Sequence, residues 1–135
     1  MKITADTNVL VRVIVRDDIE QAEAALDLLE AADTVFLPLP ALCEFVWVLG
    51  GTFGLPRERI AASIRGMISR ATVIVDRVAV EAGLRVLDAG GDFADGVIAA
   101  AGAGMGADTF VSFDRKAIAR VIEIGIPARH PSELT

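Results

Sequence analysis

Apolar and polar positions change period along this chain, with short runs rich in β-branched residues alternating with longer stretches of helical spacing. The runs at 3–6, 35–37, 72–75 and 109–112 predict four short strands. Helical periodicity predicts helices at 9–15, 19–32, 41–49, 56–69, 78–89, 93–103 and 115–124. In the second of these, Ala22, Ala25, Leu26, Leu28 and Leu29 fall at helical spacing, and the polar step Arg16, Asp17, Asp18 separates it from the first. Gly50 and Gly51 are expected to stop the third helix, and Gly90 and Gly91 the fifth. Strands that alternate with helices pair in parallel through right-handed crossovers. The expected class is therefore α/β, a three-layer α/β/α domain with a short, mainly parallel central sheet.

At 135 residues the chain is expected to form one domain, 1–135, with no repeat or linker dividing it. Hydrophobic residues make up 53%. That fraction is high for a lone domain and predicts apolar surface covered by another chain, so that a monomer is not the expected state. No stretch matches a membrane-spanning helix, because the longest weakly charged region, 34–56, is broken by prolines, glycines and Glu44. The start of the chain lacks the basic flank and apolar run of an export signal, so a cytoplasmic location is expected. Cys43 is the single cysteine, which excludes an intramolecular disulfide or a cysteine-rich zinc site; it reads as a small buried hydrophobe. His130 is the single histidine, which excludes a histidine-rich metal site and makes a plain surface residue the expectation. Net charge is −6, opposed to the broad basic surface common among nucleic-acid binders. Bound divalent cations would cancel part of that charge, and eleven of the thirteen basic residues are arginines, which suit phosphate contacts.

Ligands of open α/β sheets bind beyond the carboxyl ends of the strands. Two of the expected strands end near aspartate, the first at Asp6 in Asp6-Thr7-Asn8, the fourth at Asp114 in Ser112-Phe113-Asp114. In an extended segment Ser112 and Asp114 point the same way. Glu44 is the only charged residue between Asp33 and Arg57, in a helix that is apolar nearly all round. A carboxylate buried there needs a cation, a basic partner or a water-filled cleft. Asp92 and Asp95 lie one turn apart at a helix start, where the macrodipole favours negative charge. Asp92 is explained equally well as an N-cap, whereas Asp95, one turn inside, is not. Carboxylates gathered in a group of three or four, with hard oxygen ligands, suit Mg²⁺ or Mn²⁺ and the metal-assisted displacement of a phosphodiester.

Several other features have plainer readings. Gly102, Gly104 and Gly106 have the wrong spacing for a dinucleotide-binding loop and end a helix. Trp47 reads as core or dimer interface before base stacking. Arg12, Arg115 and Lys116 lie beside the acidic motifs and are candidates for phosphate contact, while Arg16 is equally well an ordinary solvated charge.

Taken together, Asp6-Thr7-Asn8, the isolated Glu44, Asp92-Phe93-Ala94-Asp95 and Ser112-Phe113-Asp114 resemble the PIN-domain family, and within it the VapC-type toxins of bacterial and archaeal toxin–antitoxin pairs. The resemblance extends along nearly the whole chain. It implies an endoribonuclease dependent on Mg²⁺ or Mn²⁺, with Asp6, Glu44, Asp95 and Asp114 as acidic ligands. Asn8 and Ser112 would supply hydrogen bonds around them, and Asp92 would assist through a bound water. It also implies a homodimer inhibited by a small cognate antitoxin protein. Two other classes stay open on the residues alone. One is a phosphatase-like phosphoryl-transfer enzyme with a strand-end aspartate nucleophile, although Asn8 stands where the usual second aspartate would be. The other is a non-catalytic regulatory domain whose acids are only helix caps.

Overall fold

The computed structural model describes residues Met1–Leu134. The chain divides into two compact units, Met1–Val75 and Asp76–Thr135. In the first unit, β1 (Lys2–Thr4) leads to α1 (Thr7–Val15) and α2 (Ile19–Ala31), then β2 (Thr34–Phe36), α3 (Leu39–Gly51), α4 (Arg57–Ile68) and β3 (Val73–Ile74). The three strands form one parallel sheet in the order β1-β2-β3, with Ile3 opposite Val35 and Val35 opposite Val73. Each parallel pair is joined by two helices, which supply the length a crossover requires.

Local chemistry sets the helix limits. Arg16 ends α1 in the left-handed region at φ 55, and Asp18 restarts the chain as N-cap of α2, accepting from the Gln21 N–H at 3.0 Å. The expectation for Gly50 and Gly51 is corrected, because both lie inside α3, which is capped one residue later at Thr52. A glycine costs a helix only about 1 kcal/mol. Here the fully buried Leu49 anchors the last turn, its carbonyl accepting from Leu55 N at 3.0 Å, and the reversal waits for Gly54 at φ 64. The core of this unit is built from Leu10, Leu42, Phe45, Leu49 and Ile64, none more than 1% exposed.

In the second unit, α5 (Arg77–Asp88) and α6 (Phe93–Gly104) form an antiparallel pair, followed by β4 (Phe110–Val111), α7 (Arg115–Glu123), β5 (Ala128–Arg129) and a short 3₁₀ turn, Pro131–Glu133. The strands β4 and β5 pair in parallel, apart from the three-stranded sheet. β5 is not foreseen by the sequence pattern; two residues are too few to show a period. Ala99, Ile118, Val121 and Ala128 form a small cluster around them, with Phe110 and Ile126 packed against it.

The α5–α6 pair is unusually close. A Cβ added at Gly96 would lie 2.5 Å from the Ala82 carbonyl oxygen and 2.8 Å from Gly83 Cα. One at Gly83 would lie 2.7 Å from Val97 and 2.8 Å from Phe93. Backbone meets backbone there, so neither position admits a side chain. Gly66, exposed in α4, has nothing within 4 Å of an added Cβ.

These two environments give opposite expectations for the same substitution. Gly96→Ala forces the helices apart and is expected to destabilise the protein by about 1–3 kcal/mol, the usual range for overpacking. Gly66→Ala only removes backbone freedom from the unfolded chain and is expected to stabilise by about 0.5–1 kcal/mol. Thermal unfolding followed by circular dichroism should show a drop of several degrees for Gly96→Ala and a small rise for Gly66→Ala.

Candidate metal centre

The acidic residues singled out by sequence occupy helix starts more often than strand ends. β1 ends at Thr4, and Asp6 is the N-cap of α1, its Oδ1 accepting from the Thr7 N–H at 2.8 Å. β4 ends at Val111, and Asp114 is the N-cap of α7, accepting from the N–H groups of Lys116 and Ala117 at 2.9 and 3.3 Å. Asp92 is the N-cap of α6, accepting from the Ala94 N–H at 3.1 Å. The capping role anticipated for Asp92 is thus shared by Asp6 and Asp114. In each case the cap engages Oδ1, and a carboxylate capping through one oxygen keeps a second with which to ligate a cation.

In the first unit, Asp6 and Asn8 are exposed while Thr7 between them is 2% exposed. Thr7 Oγ1 donates to the Ala41 carbonyl at 3.4 Å, tying the turn that carries Asp6 to α3, three residues before Glu44. Sequence reasoning overlooked Thr7. Its signal was a hydroxyl at the first position of an otherwise apolar helix. The expectation that Glu44 is a buried charge is corrected: its carboxylate is on the exposed side of α3, because Leu42, Phe45, Val46 and Leu49 take the buried positions. Trp47 shares that outer side at 72% exposure, so it is no part of the core, and Cys43 is half-buried. Arg12 pairs with Asp17 at 2.8 Å, which binds it to its own loop.

In the second unit, Asp92 and Asp114 lie near enough to Asp95 for their charges to act on it. Asp95, in the first turn of α6, is partly buried. Its carboxyl is held above the ordinary carboxylate range, first by burial, then by the negative charges of Asp92 and Asp114. Two helix N-termini carry these three acids, and their dipoles offset part of the repulsion. Ser112 lies beyond the strand, so the expected extended geometry is replaced by a turn in which Ser112 Oγ accepts from the Asp114 N–H at 3.0 Å. Arg115 and Lys116 are exposed at the start of α7.

His130 is half-buried, not a plain surface residue. It caps the 3₁₀ turn, with Nδ1 2.7 Å from Ser132 Oγ, and its ring meets Phe113 edge-to-face at a centroid distance of 5.5 Å.

Among the described residues, no three carboxylate, imidazole or thiolate groups close into a ready-made metal cage. The groups whose charges act on one another in the second unit are all carboxylates. Their chemistry fits a hard divalent ion such as Mg²⁺ or Mn²⁺, whose charge would relieve the repulsion on Asp95.

The PIN domain family model matches residues 3–123, and the chain belongs to the PIN-domain family. The three-stranded parallel sheet and the seven α-helices among the described residues are consistent with the three-layer α/β/α fold of that family. No curated protein matches the chain. Membership in this family implies a metal-dependent nuclease, a hydrolase of nucleic-acid phosphodiesters served by divalent ions such as Mg²⁺ or Mn²⁺. No helix among the described residues is long and apolar enough to cross a membrane.

The raised pKa of Asp95 has a direct consequence for stability. Because the folded-state value lies above the unfolded one, ionisation of Asp95 opposes folding, and that opposition grows as pH rises from the unfolded value through the folded one. At neutral pH in EDTA, Asp95→Asn is therefore expected to raise the melting temperature. Mg²⁺ or Mn²⁺ should raise it for the wild type and do so much less for Asp95→Asn. Equal metal-induced shifts in the two proteins would remove Asp95 from the ion's surroundings.

Proposed function

We propose that this PIN-domain protein is an endoribonuclease dependent on Mg²⁺ or Mn²⁺, and the toxin of a type II toxin–antitoxin pair. The observation that carries the reading is the group Asp92, Asp95 and Asp114, held at two helix starts with the Asp95 pKa raised. We assign Asp6, Glu44, Asp95 and Asp114 as the acidic ligands, with Asp92 in support. A divalent ion bound by such carboxylates would act as a Lewis acid on the phosphodiester and make water a stronger nucleophile.

The chain's own residues orient these groups. Helix caps fix the Asp6 and Asp114 carboxylates, Ser112 Oγ holds the turn at Asp114, and Thr7 anchors the turn at Asp6. Asn8, two residues on, would add a hydrogen bond beside Asp6. The exposed Arg115 and Lys116 are suited to RNA phosphates next to Asp114. Arg12 is a weaker candidate, since leaving Asp17 would cost it that ion pair.

Partner binding has support in exposed apolar side chains. Trp47 at 72%, Ile98 at 58% and Met105 at 89% exposure are the kind of surface that a homodimer contact or a cognate antitoxin covers. Action on RNA accords with a cytoplasmic location. The capping observed for Asp6, Asp92 and Asp114 also fits a non-catalytic domain, yet Asp95, partly buried beside two like charges, caps nothing and is unexplained by that reading.

Incubation of purified, antitoxin-free protein with a mixed RNA pool decides between these readings. Cleavage is expected with Mg²⁺ or Mn²⁺, abolished by excess EDTA, and reduced at least about 100-fold in Asp6→Asn or Asp95→Asn, since even residues outside the ligand shell cost 10–100-fold. Cleavage that persists in EDTA would contradict the metal mechanism. Release of inorganic phosphate from small esters without RNA cutting would favour the phosphatase.

A further inference from the structure

Phe113 lies between Ser112 and Asp114 in the turn that joins β4 to α7, and 79% of it is exposed. The other phenylalanines of this unit behave differently, Phe93 being fully buried and Phe110 half-buried. The Phe113 ring is nonetheless held. It meets His130 at an interplanar angle of 84°, and His130 is itself fixed by Ser132 and by the bond from its backbone N–H to Glu133 Oε1 at 3.2 Å. An edge-to-face contact leaves at least one face of the phenyl ring turned away from the imidazole. The turn beneath it is fixed by the Ser112–Asp114 bond and by the Asp114 cap.

Beside the Asp114 carboxylate, the neighbouring positions also carry cations. Arg115 and Lys116 follow Asp114, and Arg129 is paired with Val111 across the β4–β5 ladder; all three side chains are exposed. A rigid aromatic face beside cations is the combination that binds single-stranded nucleic acid, the ring stacking on a base and the cations meeting phosphates.

We propose that Phe113 is a stacking platform for one unpaired base of the RNA substrate, the nucleotide adjoining the phosphodiester at Asp114, with Arg115, Lys116 and Arg129 meeting the neighbouring phosphates. The inference rests on the ribonuclease reading and adds a base-contacting residue to it. The substrate is single-stranded at this nucleotide, because a base stacked on Phe113 has left its helix.

The test is a cycle between protein and RNA, using the full-length protein with Mn²⁺ and a short single-stranded oligoribonucleotide that it cleaves. Phe113→Leu keeps an apolar side chain but removes the aromatic face, and high exposure makes it compatible with the fold, which circular dichroism checks. Phe113→Leu is expected to raise KM about tenfold with kcat within about threefold. One abasic nucleotide beside the cleaved bond is expected to raise the wild-type KM by about the same factor. The two changes together should cost about tenfold, not a hundredfold, since both delete one stack. Phe113→Trp should retain the wild-type KM.

Additive effects, an unchanged KM in Phe113→Leu, or a loss confined to kcat would overturn the stacking role while leaving the ribonuclease intact. A wild-type protein that cleaves no RNA under any divalent ion would overturn both readings.

Discussion

Asp92 and Asp114 both press on the Asp95 carboxyl, and what holds these like charges within reach of one another is helix capping. An N-cap carboxylate satisfies backbone N–H groups that would otherwise lack partners and sits at the positive end of the helix dipole. Asp92 and Asp114 are held in this way at α6 and α7, and Asp95 follows one turn inside α6. Folding thus gathers negative charge that would disperse in an unfolded chain. A divalent cation is the natural complement, because it neutralises several carboxylates at once.

The packing below the site serves the same end. α6 cannot slide or tilt on α5, because Gly83 and Gly96 bring the two backbones into contact and Phe93 and Val97 fill the space beside them. Phe93, Gly96 and Val97 alternate with the acids along the same helix start, so the contact that seats α6 also aims Asp92 and Asp95. The first unit uses a different device for its own acids. Buried Thr7 joins the Asp6 turn to α3, and α3 keeps Glu44 outside by burying Phe45 and Leu49. Polar function is carried on rigid apolar elements in both units, as preorganised sites require.

Much of this was legible in residue order. The helices fell close to their expected limits because their amphipathic periods and caps are local signals. Asp92 caps α6, one of the two readings its position offered. The two-residue strand β5 carried no period, and Gly50 and Gly51 lost their stopping role to the buried Leu49, a tertiary effect invisible in sequence. Glu44 was conspicuous for the right reason, its isolation among apolar residues, but that isolation was misread as burial. A helix with one outer side in solvent can look apolar all round when Trp47 occupies that side. The pairing of Asp95 with Asp114, and of Phe113 with His130, joins residues 17 or more apart and depends on how α6, α7 and β5 meet.

The central claim is that these carboxylates hold a divalent ion, and Mn²⁺ binding followed by electron paramagnetic resonance tests it most directly. Asp114→Asn is the informative variant, since asparagine caps a helix about as well as aspartate and the substitution removes charge while retaining the fold. The account predicts saturable Mn²⁺ binding by the wild type, displaced by Mg²⁺ and weakened at least about tenfold in Asp114→Asn. Absence of saturable binding in the wild type, or equal affinity in Asp114→Asn, would contradict it.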